Sequence, residues 1–192
     1  MGLATGTKLG PYEIQSYLGA GGMGEVYRAR DTRLDRTVAV KILPTHLSQD
    51  SEAKQRFDRE ARAISSLSHP NICPLYEVGS QEGIGYIVME YLQGETLADR
   101  LDKGKLPFEQ LLRYGIDICE GLGTAHRNRV IHRDLKPGNI MLTKTGAKLM
   151  DFGLAKSVPI TACPPSGLTA TSPNPAKSNP LTGQGTVVGT FQ

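Results

Sequence analysis

The segment from Val130 to Gly153, VIHRDLKPGNIMLTKTGAKLMDFG, constrains what this chain can fold into more than any other. It places two carboxylates, an ammonium group and an amide within 18 residues, at Asp134, Lys136, Asn139 and Asp151. Transfer of a phosphoryl group needs these kinds of groups: an acceptor for the proton of the incoming hydroxyl, oxygen ligands for magnesium, and cations on the developing charge. The composition of the segment therefore fits phosphoryl-transfer chemistry.

Two short apolar stretches, IMLT and AKLM, lie between Asn139 and Asp151. The turn-forming residues 144–146, Lys-Thr-Gly, join them, which predicts a β-hairpin. A hairpin brings its two ends together, so the amide of Asn139 and the carboxylate of Asp151 should converge on one site. A metal ion could bridge them there.

The composition of the 192 residues bounds the class of protein. This length suits one ordinary domain or two small lobes. The net charge is +3, from 22 basic and 19 acidic residues, and so slight an excess does not indicate a nucleic acid or an anionic membrane as a partner. No run of 18 or more apolar residues is present, so we expect no membrane segment in this chain.

The three cysteines, Cys73, Cys119 and Cys163, are odd in number and lack the spacing of a metal site. They predict neither a disulfide framework nor a zinc site, and they suit a reducing cytosol. The expected localisation is therefore cytoplasmic, although a longer parent protein could be anchored in a membrane with this part on the cytoplasmic side.

Near the start of the chain, residues 12–18, 25–29 and 37–43 each have the pattern of a short strand. The turn between the first two, LGAGGMGEVY, has the GxGxxG arrangement, which dinucleotide-binding folds share. Such a fold needs a helix directly after the glycines and an acidic residue about 20 positions further on. Here strand-like residues follow, and Lys41 closes the run VAVK with a cation. Three consecutive antiparallel strands are therefore predicted.

These motifs together resemble those of protein kinases. HRDLKPGN followed by DFG is similar to the catalytic and metal-binding loops of the serine/threonine form, and the glycine-rich turn with Lys41 is similar to the phosphate-binding elements of the same family. The stretches LGPYEIQSYLGAGGMGEVYRARD and HPNI resemble the bacterial kinases in particular. The resemblance covers residues 10–192 and implies an α+β, protein-kinase-like bilobal fold with a complete β-rich N-lobe and an incomplete helical C-lobe.

The resemblance implies roles for the charged residues of the first segment. Asp134 would orient or deprotonate the substrate hydroxyl, and Lys136 would steady the transferred phosphate. Asn139 and Asp151 would hold Mg²⁺.

A helix is predicted over residues 48–68, with Phe57, Ala61, Ile64 and Leu67 on its inner face. In the family an acidic residue on this helix pairs with the strand lysine, so the resemblance implies an ion pair between Glu60 and Lys41. Glu52 and Asp58 are the competing acids. Glu60 is favoured because it lies beside the apolar face and because RFDREA before HPNI matches the family pattern.

The resemblance also implies ATP as cofactor and a pocket that binds it. The implied residues are Leu18, Gly19, Ala20, Gly21, Gly22, Met23, Gly24, Val26, Ala39, Lys41, Met89, Glu90, Leu92, Glu95 and Met141. Met89 would lie at the back of the adenine pocket, and the backbones of Glu90 and Leu92 would bond the adenine edge. Glu95 either accepts a hydrogen bond from a ribose hydroxyl or is only a charge at a helix N-terminus.

The expected organisation is a flexible N-terminus over residues 1–9, an N-lobe over 10–92 and a partial C-lobe over 93–192. A long helix is predicted from Pro107 to Arg129, with Leu111, Ile118, Leu122 and Ala125 on one stripe. Residues 151–192, rich in Ser, Thr and Pro after Lys156, would form an activation loop. Its phosphorylation on Thr182 or Thr186 would pair with Arg133. GTFQ resembles the start of the segment that ends this loop, and the helices that follow it in the family are absent from the sequence.

The expected function is therefore that of a serine/threonine protein kinase domain fragment, which transfers the γ-phosphate of ATP to Ser or Thr hydroxyls of a protein substrate, with Mg²⁺. A dimer would allow autophosphorylation. The alternative is a non-catalytic ATP-binding or scaffold fragment that is inactive because the C-lobe is incomplete. A fragment that does not fold is the remaining rival.

Overall fold

The computed structural model of the chain describes residues 2–21, 24–43 and 51–152. A six-stranded antiparallel sheet contains β1 (Lys8–Leu9), β2 (Tyr12–Gly21), β3 (Gly24–Asp31), β4 (Arg36–Ile42), β5 (Leu75–Gln81) and β6 (Ile84–Glu90). The strand order is β1-β2-β3-β4-β6-β5. The three strands predicted before Pro44 are confirmed, each within a few residues of its expected bounds.

Alternating burial explains why these residues form strands. In β3, Tyr27 and Ala29 are buried while Arg28 and Arg30 are exposed, the period-2 pattern of a sheet with one buried face. The central strand β4 carries the continuous apolar run VAV. One core cluster lies on the inner side of this sheet and includes Tyr12, Ile14, Tyr27, Ala29, Val38, Val40, Tyr86 and Val88.

Residues 2–9 differ from the expected flexible N-terminus. Lys8 and Leu9 pair with Glu13 and Tyr12 of β2, and Leu9 is only 2% exposed. The amide of Gly6 also donates to the carbonyl of Ile14, at 2.8 Å. These hydrogen bonds and the burial of Leu9 fix the segment to the sheet.

Helix α1 (Ser51–Ser65) follows the sheet strand β4 in the chain. Its predicted inner face is confirmed, because Phe57, Ala61 and Ile64 are buried, together with Leu67 just beyond the helix. Phe57 and Ala61 pack with Ile87 of β6, while Ile64 and Leu67 belong to the core cluster of the second half of the fold. The helix therefore joins a small apolar cluster around Ile87 to the core cluster of the second half of the fold.

A second, three-stranded sheet contains β7 (Glu95–Thr96), β8 (Ile140–Thr143) and β9 (Gly146–Leu149), in that order. Strands β8 and β9 form the predicted hairpin. Gly146 starts β9 at φ +135°, and a Cβ there would lie 2.5 Å from a carboxylate oxygen of Asp117. That oxygen accepts from the Ala147 amide at 2.8 Å, so the hairpin needs glycine at this turn.

Two helices lie between β7 and β8 in the chain: α2 (Leu97–Asp102) and α3 (Phe108–Arg127). A capping box formed by Thr96 and Asp99 stabilises the start of α2. A 3₁₀ turn, Pro137–Asn139, precedes β8.

The long predicted helix is confirmed as α3, but its buried stripe is shifted. Ala125 is buried, and Tyr114, Ile118 and Leu122 pack against the core. Leu111, predicted in the stripe, is 53% exposed because it lies one turn before the part of α3 that contacts β9. Over the described residues, no helix is long and apolar enough to cross a membrane.

Candidate active site

A cleft of about 1160 Å³ lies between the glycine-rich hairpin, the end of β6 and the β8–β9 sheet. Pockets that enclose small ligands typically have volumes of about 300–1,000 Å³, so this cleft has room for a nucleotide. The residues predicted from the sequence that line it are Leu18, Gly19, Ala20, Gly24, Val26, Ala39, Lys41, Met89, Glu90, Leu92, Glu95, Asp134, Lys136, Asn139, Met141 and Asp151. Gly22 and Met23 lie outside the described residues. Gly21 is the last residue of β2. Glu60 does not line the cleft.

The catalytic loop is held around Asp134. The side-chain amide of Asn139 donates both to the Asp134 carbonyl, at 2.8 Å, and to its carboxylate, at 3.0 Å. The ammonium of Lys136 lies 3.0 Å from the same carboxylate oxygen. Asp134 is mostly buried, while Lys136 is 57% exposed. A buried carboxylate beside an exposed cation suits a group that orients a hydroxyl next to a group that stabilises a charge.

The two expected metal ligands are brought together by the backbone. The Met150 amide donates to the Asn139 carbonyl at 2.9 Å, which places Asp151 next to Asn139. Asp151 has φ +53°, a left-handed conformation uncommon for a residue other than glycine. Because the amide nitrogen of Asn139 is bound to Asp134, its side-chain oxygen is the atom left for a cation. An amide oxygen and a carboxylate are ligands that suit Mg²⁺.

His132 supports this region from the core. It is 2% exposed, and its ring lies 4.5 Å from the ring of Phe152, centroid to centroid. Nε2 donates to the Met150 carbonyl at 2.9 Å, and Nδ1 accepts from the Asp134 amide at 3.4 Å. Burial lowers the pKa of His132 below its ordinary value. The neutral ring therefore acts as a brace between the catalytic loop and the Asp151 segment, and not as a metal ligand.

The expected ion pair between Lys41 and Glu60 does not form. The Lys41 ammonium, in a residue only 5% exposed, lies 2.7 Å from the Asp151 carboxylate. Glu60 instead pairs with Arg133, also at 2.7 Å, and both side chains are about three-quarters buried. The physical reason is that Lys41 and Glu60 each already contact another group of opposite charge. Arg133, expected to meet a phosphorylated loop residue, is held by Glu60.

The end of β6 is tied to β9 by a further ion pair that the sequence did not indicate. The Lys148 ammonium donates to the Glu90 carboxylate at 2.5 Å, with 15% and 31% of the two side chains exposed. The Glu90 carbonyl accepts a weak hydrogen bond from the thiol of Cys73 at 3.7 Å. Burial raises the pKa of Cys73 to about 12, so this thiol is not a nucleophile. Glu90 thus connects the segment expected to bind adenine with the strand that leads to Asp151.

Glu95 lies in the cleft wall, and its carboxylate accepts from Lys103 at 2.5 Å. Both interpretations of this residue, ribose acceptor and helix N-terminal charge, therefore stay predictions. The neighbouring Asp99 has its pKa lowered by hydrogen bonds from Thr96, which is the signature of the capping role.

Sequence reasoning missed several other lining residues, namely Cys73, Tyr91, Gln93, Gly94, Thr96, Asp99, Gly138 and Met150. Tyr91, Gln93 and Gly94 carry no motif of their own, and their position between Glu90 and Glu95 was the available signal. Cys73 and Met150 reach the cleft only because the 71–74 segment hydrogen-bonds to β9, through Leu149 and Asn71. Pairing between such distant segments is invisible in a local pattern.

Comparison with known proteins agrees with this geometry. A family model described as protein kinase domain matches residues 12–172. The chain belongs to the protein kinase family. Among curated relatives, this kinase chain is 45% identical over 153 residues to the serine/threonine-protein kinase PknB of Mycobacterium leprae, covering 77% of this chain and 25% of that protein. It is 43% identical over 154 residues to the serine/threonine-protein kinase PrkC of Bacillus subtilis, covering 79% and 24%.

Solved structures show the same fold. The crystal structure of the Mycobacterium tuberculosis PknI kinase domain, C20A mutant, matches with a TM-score of 0.74 and 31% identity, over 81% of this chain and 64% of that one. The kinase chain thus spans about a quarter of the length of the curated relatives named above and under two thirds of that kinase domain. The bilobal, kinase-like α+β fold expected from the sequence is confirmed.

Proposed function

We propose that this chain binds ATP with Mg²⁺ and transfers the γ-phosphate to Ser or Thr hydroxyls of a protein substrate. The observation that carries the proposal is the convergence of Lys41, Asp134, Lys136, Asn139 and Asp151 on one cleft. These groups come from three separate stretches of sequence, and together they supply a proton acceptor, two cations and two oxygen ligands. Phosphoryl transfer needs this combination.

Each residue has a role that its surroundings support. Asp134, oriented by Asn139 and Lys136, would accept a hydrogen bond from the substrate hydroxyl and take its proton as transfer proceeds. Lys136, at the exposed rim, would lie against the transferred phosphate. Lys41 would bind phosphate oxygens from the floor of the cleft. When bound between Asn139 and Asp151, Mg²⁺ would neutralise charge on the phosphates.

The adenine would lie against Ala39, Val26 and Met141, with Met89 behind it, since these apolar side chains line the inner part of the cleft. The Glu90 amide donates to the Pro74 carbonyl at 3.1 Å, so the Glu90 group proposed for the adenine edge is its carbonyl, which has two lone pairs and also accepts the weak hydrogen bond of the Cys73 thiol at 3.7 Å. Autophosphorylation within a dimer and a cytoplasmic location complete the proposal. The free thiols of Cys73 and Cys119 support the reducing compartment.

The test compares the chain with Asp134→Asn in two assays: equilibrium binding of a fluorescent ATP analogue, and transfer of radiolabelled phosphate from ATP to a generic basic protein. Asp134→Asn should leave binding within about twofold and lower transfer by about 10²- to 10⁴-fold, the range for a lost general base. Binding by the chain without any transfer would favour the non-catalytic alternative. Transfer by Asp134→Asn at the full rate would refute the assigned role.

A further inference from the structure

Residues 2–9, called the strap below, cross the back of the β2–β3 hairpin. Leu3 packs against the core cluster of the six-stranded sheet, and its amide donates to the hydroxyl of Tyr27 at 2.9 Å. The same hydroxyl donates to a carboxylate oxygen of Glu25 at 2.5 Å. Tyr27 is 1% exposed, so its hydroxyl joins the strap and Glu25 in a site that is largely closed to water.

The fit between the strap and Tyr27 is close. A Cβ at Gly2 would lie 3.0 Å from the Tyr27 hydroxyl and 3.7 Å from a Glu25 carboxylate oxygen, so this position has no room for a larger side chain unless its neighbours move. Further along, the Ile14 amide of β2 donates to the Thr7 carbonyl at 2.9 Å. The strap therefore binds both strands of the hairpin.

The contact lies directly behind residues of the cleft. Side chains alternate between the two faces of a strand, and Val26, between Glu25 and Tyr27, lines the cleft. Val26 also pairs with Lys41 in the β3–β4 register, and Glu25 pairs with Ala20, another lining residue. A change in the position of Glu25 or Tyr27 is thus transmitted through one strand to the wall of the cleft.

We infer that the strap is a positioning element for the nucleotide: the Leu3–Tyr27–Glu25 hydrogen bonds hold the start of β3, and with it Val26, in the wall of the cleft. The lining residues Gly19 and Gly24 have no side chains that could hold this part of the hairpin in place. Fixing the start of β3 before the ligand arrives reduces the ordering that binding must otherwise supply. Tyr27 is then a positioning residue, since it does not touch the cleft itself. The inference rests on the proposed function only in naming ATP as the ligand.

The test uses the full chain and two readouts: amide hydrogen exchange over residues 16–28 without nucleotide, and the Kd of a fluorescent ATP analogue with Mg²⁺. Tyr27→Phe removes the hydroxyl and keeps the ring, so we expect faster exchange in the hairpin and binding about threefold to tenfold weaker, the scale of one or two lost hydrogen bonds. Leu3→Pro removes the amide donor at the other end and should act in the same direction. Tyr17→Phe is the matched control, because Tyr17 touches the Tyr27 ring, is 57% exposed and has no hydrogen bond from its hydroxyl within the described ranges.

Conservative rescue separates positioning from simple stability. Glu25→Gln keeps an acceptor for the Tyr27 hydroxyl and should bind like the parent chain, whereas Glu25→Ala should resemble Tyr27→Phe. The inference is overturned if Tyr27→Phe and Leu3→Pro lower the melting temperature while hairpin exchange and Kd match those of Tyr17→Phe. If the parent chain binds no ATP analogue, the proposed function fails, and the exchange data alone still decide whether the strap holds the hairpin.

Discussion

The ion pair between Glu90 and Lys148 offers a quantitative test of how the cleft is held together. Its charged atoms are 2.5 Å apart and mostly shielded from water, with 31% and 15% of the side chains exposed. Exposed pairs typically contribute about 0.2–1 kcal/mol, while breaking a fully buried pair costs about 3–5 kcal/mol. A pair of intermediate burial should therefore show a coupling energy of about 1–2 kcal/mol. We expect this value from a double-mutant cycle of Glu90→Gln and Lys148→Met, measured by urea unfolding.

The chain contains a matched control for this cycle. Glu95 and Lys103 are the same residue types at the same 2.5 Å separation, but their side chains are 35% and 66% exposed. Because solvent screens this pair, its coupling in Glu95→Gln and Lys103→Met should stay below about 0.5 kcal/mol and vanish in high salt. Equal coupling energies in the two cycles would refute the argument that burial sets the strength of the Glu90–Lys148 pair.

Two further predictions concern stability. The lowered pKa of His132 means that the unfolded state takes up a proton before the folded state does, so stability should fall as the pH drops below about 6.5. Between pH 8 and pH 5, the free energy of unfolding in urea should fall less steeply for His132→Phe than for the parent chain. Parallel pH profiles of the two would contradict this. Gly94→Ala should cost more than about 2 kcal/mol in unfolding free energy, because the new Cβ would lie 1.9 Å from the Leu142 carbonyl oxygen. The control is Gly115→Ala in α3, where a new Cβ would have open space around it, so its effect on the unfolding free energy should be neutral or slightly stabilising. If the two variants changed the unfolding free energy equally, backbone movement would have relieved the clash at Gly94.

The elements that were predicted correctly are those that local patterns determine. The β8–β9 hairpin follows from two apolar stretches around a turn, and α1 follows from apolar residues at helical spacing. The predicted hairpin brings Asn139 and Asp151 together, and the resemblance to protein kinases implied that Lys41 and Asp134 share a cleft with them.

The elements that were missed depend on contacts between distant segments. MGLATGTKLG has no strand pattern, so the pairing of Lys8 and Leu9 with β2 could not be predicted from it. Lys148 reads as the solvent-facing residue of a short strand, yet it meets Glu90, 58 residues away. The predicted partner of Glu60 was wrong for the same reason. Two cations, Lys41 and Arg133, are available to Glu60, and which one it contacts depends on the position of the whole helix α1.

Charge balance makes the choice between these two cations testable. Two cations and two anions form the pairs Lys41–Asp151 and Glu60–Arg133. A change to the pair Lys41–Glu60 would leave Asp151 and Arg133 both without a partner, which is costly for groups that are mostly buried. Mg²⁺ could compensate Asp151, and an anion such as a phosphorylated residue could compensate Arg133. The observed pairing is the balanced state of the chain alone.

Replacing Arg133 should therefore shift this balance towards nucleotide binding. In Arg133→Met the Glu60 carboxylate loses its cation, and leaving it buried and unpaired would cost about 1–3 kcal/mol. If Glu60 paired with Lys41, this cost would be avoided, and Mg²⁺ could bind Asp151 in place of Lys41. We therefore expect the ATP analogue with Mg²⁺ to bind about 5- to 10-fold more tightly, which corresponds to about 1–1.4 kcal/mol. The gain should disappear in the double variant with Glu60→Gln, because it depends on that carboxylate, and it should be absent in Arg129→Met, which removes an exposed neighbouring arginine. If Arg133→Met binds no more tightly than the parent chain, or if the double variant keeps the gain, Lys41 and Arg133 do not compete for Glu60.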